Sequence, residues 1–295
     1  MGTVSHAAEF RDFNRYYTQR IGLLTDRYMG ADRPLSESRV LFEIGSGADV
    51  RDLRARLELD SGYLSRLLRS LEGQGLITVR AADGDRRIRT AALTPAGDAA
   101  LADMNSRATD VADDLLSALD QPQQDRLIDA MAQVRRLLRL AGIDVAVAEA
   151  TSAPARACLS AFADEMRARV PEGYDDGELV DADELTAPRG ALLIATEHGR
   201  AVGCAALRRL DDDGVGEVRH MWVRSDARGI GLGHRLLREV ELHAAAMGMH
   251  ALRLGTNSAL REALAMYRTR GYVEIPPYDG DIHVHHAFEK ALRTG

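Results

Sequence analysis

The sequence predicts two domains, a mainly α half followed by an α/β half, and three observations carry that reading. The chain has 295 residues, which at roughly 150 residues per domain is a prior for two domains. Up to Gly142 apolar residues recur at intervals of three and four, the spacing of one helix face; beyond it short apolar runs alternate with helical patterns. The composition, 45% hydrophobic and 28% charged, is that of a folded chain and excludes long disorder and fibrous repeats.

In the first half, Phe10, Phe13, Tyr17, Ile21, Leu24 and Tyr28 draw one stripe along a helix that Gly30 and Pro34 end. Residues 36–44 read as a second helix with only half of a capping box, because Ser36 is followed three positions later by Arg39. Two short helical patterns follow, 50–57 and 61–74, joined by Glu58-Leu59-Asp60. The second buries Leu64, Leu67, Leu68 and Leu71, turns Tyr63, Ser65, Arg66 and Arg69 mostly outward, and stops at Gly73 and Gly75. Residues 76–80 and 88–93 alternate as two strands around Ala82-Asp83-Gly84-Asp85-Arg86, a hairpin-tip composition. Pro95 suits the first position of a helix striped by Leu101, Met104, Ala108, Val111 and Leu115. Leu127, Met131, Val134 and Leu138 mark another, ending at Gly142.

In the second half, residues 143–150 read as a strand, 153–170 as a helix and 171–189 as a polar, acidic connection able to line a site. Strands at 191–196, 201–210 and 215–223 lead into a glycine loop, a helix at 233–247, a strand at 250–256 and a helix at 259–270. A strand pair within 272–290 closes the chain, and no segment repeats another.

The 38 basic residues, all arginine except Lys290, stand against 45 acids for a net charge of −7, so the whole molecule does not advertise nucleic-acid binding. Between Val50 and Thr90, however, 9 arginines meet 6 acids, a local +3. Cys158 and Cys204 are far apart in sequence, which rules out a disulfide framework or a zinc ribbon and suits a reducing compartment. The N-terminus lacks the pattern of a signal peptide and no apolar run reaches about 18 residues, so neither export nor membrane insertion is expected.

Two short helices with a tight connection, followed at once by a hairpin, are what a winged helix-turn-helix needs to place a helix in the major groove and a wing in the minor groove. With LELDSGYLSRLLRSLEGQGLI, the wing residues Asp85-Arg86-Arg87, and LTPAG at 93–97, the sequence resembles the MarR family of bacterial regulators over about residues 8–142. The resemblance implies a DNA-binding and dimerisation domain at 1–142. In it Ser61, Tyr63, Ser65, Arg66 and Arg69 would face the major groove. Asp85 would hold Arg87, which would enter the minor groove, where a narrow A·T-rich tract concentrates negative potential. The first and last helices would form a homodimer, and a two-fold dimer reads pseudopalindromic double-stranded DNA.

The central element of the second half is EVRHMWVRSDARGIGLG, residues 217–233, a strand running through glycines into a helix. Glycines let backbone approach an anion, and free N–H groups at a helix start suit a pyrophosphate. A dinucleotide fingerprint fails because His234 or Leu236 stands where its last glycine is needed, and a P-loop fails because the one lysine is Lys290. The RxxGxG pattern of Arg228, Gly231 and Gly233, the strand end LRLGTN at 252–257, and ALAMYRTRGY at 263–272 resemble the GNAT acetyltransferases over about residues 143–292. The resemblance implies a domain at 143–295 with a mixed, mostly antiparallel sheet and acetyl-CoA as co-substrate. Arg228, Gly229, Ile230, Gly231, Leu232 and Gly233 would hold the pyrophosphate, Met221, Trp222 and Val223 would run along the pantetheine arm, Asn257 would bond it, and Tyr267 would stand near the thioester sulfur.

Acyl transfer to an amine needs one proton removed and one supplied. By the same resemblance Glu217 is the candidate base and Tyr267 the candidate acid. Cys204 sits in an apolar run and reads as core, and neither cysteine is expected to act as a nucleophile. His283, His285 and His286 are not expected to bind metal, although His286 is placed to reach an acceptor pocket. The ending IPPYDGD with FEKAL resembles enzymes acting on small amines or amino acids. The expectation is therefore a cytoplasmic bacterial protein, at the nucleoid when bound to DNA, that both regulates transcription and acetylates a small amine. Its rivals are a regulator whose second domain only senses acyl-CoA, and a protein lysine acetyltransferase.

Overall fold

The structure, a computed structural model, describes residues 5–22, 33–82, 85–170, 174, 179–210, 214–278 and 283–292, with backbone alone at 82 and 85–88. The chain divides into two compact units, Met1–Ala130 and Met131–Gly295.

The first unit runs α1 (His6–Arg20), α2 (Leu35–Ile44), β1 (Ala48–Asp49), α3 (Val50–Leu57), α4 (Ser61–Gly73), β2 (Ile77–Ala82), β3 (Asp85–Leu93) and α5 (Pro95–Ser117), then enters α6 (Gln121–Ala141). Local chemistry sets the helix ends. The Asp49 carboxylate accepts the Arg51 N–H at 2.6 Å to start α3. Glu58, at φ 52°, stops that helix in the left-handed region. Two residues later Asp60 accepts the Tyr63 N–H at 2.8 Å and starts α4, which is why the turn is so tight. Leu64, Leu67, Leu68 and Leu71 are buried as expected, against Val40, Leu41 and Ile44 of α2 and Leu53 of α3. The hairpin pairs Ile77 with Leu93 and Val79 with Ala91. On its other edge β3 also pairs with β1, Ala48 opposite Ala91, a two-residue strand too short to show periodicity.

Pro34, expected only to end the first helix, is the N-cap residue of α2. The positions of Leu24, Tyr28 and Gly30 lie outside the described residues. Neither α1 nor α6 buries a residue. Phe10, Phe13 and Tyr17 on α1, and Leu127, Met131, Val134 and Leu138 on α6, are exposed.

The second unit continues with β4 (Asp144–Ala148), α7 (Ala153–Arg169), β5 (Gly190–Glu197), β6 (Arg200–Arg209), β7 (Val215–Val223), α8 (Leu232–Ala246), β8 (Ala251–Thr256), α9 (Arg261–Thr269), β9 (Val273–Ile275) and β10 (His286–Ala291). These strands form one mixed sheet, order β4-β5-β6-β7-β8-β10-β9, antiparallel except for the β7–β8 pair. One face carries the larger core, where Leu232, Leu236 and Val240 of α8 meet Leu207, Val218, Leu254 and Phe288. The other packs Ala155 and Cys158 of α7 on Leu192, Ile194, Cys204 and Ala206. Helix α9 starts later than its apolar pattern, because the Asn257 side chain accepts the Ala259 N–H at 2.9 Å and holds a turn there.

Candidate functional site

The sheet opens where β7 and β8 part. Their parallel ladder spans Val215–Val218 against Ala251–Leu254 only, while β7 continues to Val223 along β6. Just past Val218 the strand bulges. Between the pairs Cys204–Trp222 and Ala206–Arg219, the single Ala205 of β6 faces two residues of β7, His220 and Met221, and His220 takes φ 49°. The bulge puts Met221 against the larger core with Val223, and turns His220 and Trp222 to the α7 face.

Beyond β7 the chain enters the glycine loop. Gly229 and Gly231 have φ of 73° and 95°, a region that side chains with a Cβ rarely adopt. Gly231 is the N-cap residue of α8 and supplies no capping side chain, so the first N–H groups of the helix are left for an occupant of the loop. Ile230 and Leu232 are core residues, which leaves their backbone as the part a ligand can meet. Gly233 lies close under Met266 and Met221; a Cβ there would be 3.3 Å from the Met266 sulfur. The Arg228 Nε donates to the Val223 carbonyl at 2.8 Å and its guanidinium pairs with Glu165 of α7, so the arginine ties the loop to the end of β7. Trp222 Nε1 donates to the same carboxylate at 2.9 Å. Burial works against the charge of Glu165, but hydrogen bonds from Arg169, Arg228 and Trp222 outweigh it and hold the carboxyl below its usual range.

Tyr267 of α9 is buried, with its hydroxyl 3.9 Å from the Met221 sulfur and its ring against Tyr272 and Phe288. Burial pushes its pKa up to about 12, so the phenol keeps its proton at neutral pH. Met221 thus lies close to both Gly233 and the Tyr267 hydroxyl, just past the end of the β7–β8 ladder. Asn257, expected to bond a cofactor arm, is buried, with its amide donating to the His283 carbonyl at 3.0 Å.

Glu217 lies on the α7 face with no exposed surface. Its Oε2 accepts the Arg208 Nε at 2.6 Å from the directly paired position on β6, its Oε1 accepts the Tyr278 hydroxyl at 2.7 Å, and Arg219 stands at 3.8 Å. Arg208 also reaches Glu184 at 3.1 Å, and Arg253 lies over the Tyr278 ring. Sequence reading missed His220. It is buried, its Nε2 accepts the Val180 N–H at 2.9 Å, and burial, with Arg219 and Arg208 nearby, lowers its pKa to about 3. No sequence signal marks a histidine at a bulge; the ladder register creates the position.

His286 donates or accepts at both nitrogens, with Nδ1 2.6 Å from Glu274 and Nε2 3.1 Å from the Ser258 hydroxyl. Cys158 and Cys204 are free and buried, facing the Gly203 and His220 carbonyls. Among the described residues no cluster of three or more His, Cys, Asp or Glu is placed to hold a metal, and no helix is long and apolar enough to cross a membrane.

In the first unit Arg66 and Arg69 are exposed on α4, and the Arg66 guanidinium lies over the Tyr63 ring at 5.5 Å. Ser61 and Ser65 line a cavity of about 210 Å³ together with Arg51, Arg54 and Arg89. Those three arginines are exposed and escaped the sequence reading, since only the fold brings α3 and β3 beside α4. The side chains of Asp85 and Arg87 lie outside the described residues.

Comparison with known proteins agrees with both halves. Residues 156–272 match the model of the acetyltransferase (GNAT) family, and residues 31–88 match the MarR family. An IAA acetyltransferase of Azospirillum brasilense is 36% identical over 104 residues, covering 35% of this chain and 68% of that protein. An uncharacterised N-acetyltransferase of Schizosaccharomyces pombe is 33% identical over 92 residues, 31% of this chain and 56% of that protein. An amino-acid acetyltransferase of Ralstonia nicotianae is 38% identical over 84 residues, 25% of this chain and 19% of that protein. Among solved structures, a GNAT acetyltransferase of Elizabethkingia anophelis with acetyl-CoA bound is 18% identical over 51% of this chain and 99% of that one, at a TM-score of 0.40. From its strand order, its glycine loop and its relatives, the chain belongs to the acetyltransferase (GNAT) family and carries a MarR-family region ahead of that fold.

Proposed function

We propose that residues 143–295 transfer acetyl from acetyl-CoA to a small amine or amino acid, and that residues 1–142 bind operator DNA as a homodimer. The observation that carries the catalytic reading is the opening between β7 and β8 beside the uncapped start of α8, with a protonated, buried Tyr267 at its edge. In this reading the N–H groups of the loop and α8 take the pyrophosphate, and Met221 backbone beyond the ladder takes the pantetheine arm. Tyr267 gives its proton to the leaving thiolate. The amine loses its proton toward Glu217 through Tyr278, which passes its own proton to Oε1 as it accepts another.

The apolar stripes left exposed on α1 and α6 support the dimer, and the arginines around the start of α4 support phosphate contacts. A small acceptor is favoured by the relative named as an amino-acid acetyltransferase. The engagement of both Glu217 oxygens favours a second reading, in which the domain senses acyl-CoA without turnover.

A panel of amines with acetyl-CoA and a thiol-detecting reagent tests these readings. Amine-dependent thiol release is expected, falling about 10²- to 10⁴-fold in kcat with Glu217→Gln while acetyl-CoA affinity changes little. Binding without turnover on every amine supports the sensor.

A further inference from the structure

At the far edge of the sheet, three side chains from separate segments form one hydrogen-bonded line. Ser258 follows β8, His286 opens β10 and Glu274 lies on β9. The Ser258 Oγ is 3.1 Å from His286 Nε2, His286 Nδ1 is 2.6 Å from Glu274 Oε1, and the other Glu274 oxygen accepts from Arg268 at 3.1 Å. Carboxylate on Nδ1 fixes the tautomer with its lone pair on Nε2, toward the hydroxyl. His285 Nδ1 stands 3.2 Å from the same Oγ, so a second imidazole also orients it.

The sheet builds this line. Antiparallel pairing of β10 sets His286 opposite Thr256 on β8 and Ala287 opposite Ile275 on β9, which brings the serine loop and the glutamate to either side of one imidazole. Ser258 is exposed, so its oxygen can meet a substrate. None of the three takes part in the acyl-transfer steps proposed above.

We infer that Ser258, His286 and Glu274 form a nucleophilic triad that hydrolyses short-chain acyl esters or thioesters. The Ser258 proton passes to His286 Nε2 as Oγ bonds the acyl carbon. The bond from that carbon to the leaving oxygen or sulfur breaks, and the leaving group takes the proton from His286. Water then gives a proton to His286 and attacks the acyl-serine. The acyl–Oγ bond breaks, Ser258 recovers its proton, and a carboxylic acid is released. No further reactant is consumed.

The test uses the full chain with p-nitrophenyl acetate and a fluorophosphonate probe, neither of which needs the coenzyme site. Peptide mapping is expected to find the probe on Ser258. Ser258→Ala is expected to abolish labelling, and His286→Ala to lower p-nitrophenol release about 10²-fold or more. Glu274→Gln is expected to lower release while Arg268 and the fold stay intact, as circular dichroism would report. Absence of label at Ser258, or release equal in wild type and Ser258→Ala, overturns the inference. Amine-dependent thiol release from acetyl-CoA, measured on wild type and Ser258→Ala alike, separates the two activities: equal release in both is expected, and its absence from both would remove the transferase reading and leave the triad standing.

Discussion

At His220 a single residue shows how a bulge shapes both site and stability. The backbone takes a left-handed φ of 49°, the ring packs on Phe162 with centroids 5.1 Å apart, and Nε2 accepts from Val180. Burial first, and the positive Arg219 and Arg208 second, lower its pKa to about 3. In the unfolded chain the same ring protonates near its ordinary value of about 6.5. The folded protein therefore binds fewer protons between these values, and stability present above pH 6.5 is lost as pH falls toward 3, at up to roughly 1.4 kcal/mol per unit. Urea unfolding between pH 7 and 4.5, followed by the single tryptophan, Trp222, is expected to show that slope. His220→Gln keeps an acceptor for the Val180 N–H and is expected to flatten it.

Two elements depend on what glycine lacks. At the start of α8, Gly231 combines φ 95° with a position where a Cβ would lie 3.3 Å from Leu140. Gly231→Val adds strain and a branched side chain at the helix mouth. Calorimetry is expected to show acetyl-CoA binding abolished, while the far-UV spectrum of the protein is retained. At the start of α5, a Cβ on Gly97 would stand 2.0 Å from the Leu76 carbonyl. The helix approaches the β2 entry that closely because no side chain intervenes, and Thr94 caps it at 3.1 Å. Gly97→Ala is expected to cost about 1 to 3 kcal/mol in chemical denaturation, as overpacking does elsewhere.

For the whole molecule, charge decides how DNA binding responds to salt. The chain carries −7, yet the stretch between Val50 and Thr90 concentrates +3, and the proposed homodimer would present two such stretches. At about six phosphate contacts for that dimer, affinity is expected to fall on the order of a thousandfold between 50 and 200 mM salt. A gel-shift titration on genomic fragments checks this, with Arg87→Ala weakening binding further through its wing. Binding indifferent to both changes would remove the DNA-reading assignment.

Much of this protein was legible in periodicity and spacing. The stripe of Leu64, Leu67, Leu68 and Leu71 marked α4, and the run of 215–223 into Gly229, Gly231 and Gly233 marked the strand, loop and helix of the proposed coenzyme region. Such elements are local: a helix face repeats every three or four residues, and a glycine declares a backbone that other residues resist. Tertiary structure alone decided what stands across from what. Arg208 meets Glu217 because β6 and β7 pair in that register, His220 is turned inward by a bulge, and Ser258, His286 and Glu274 meet through β8, β10 and β9. Sequence by itself determined the elements and the kinds of chemistry available to them. Partners 9 to 28 positions apart depend on strand register, which long-range packing selects and a single sequence does not spell out.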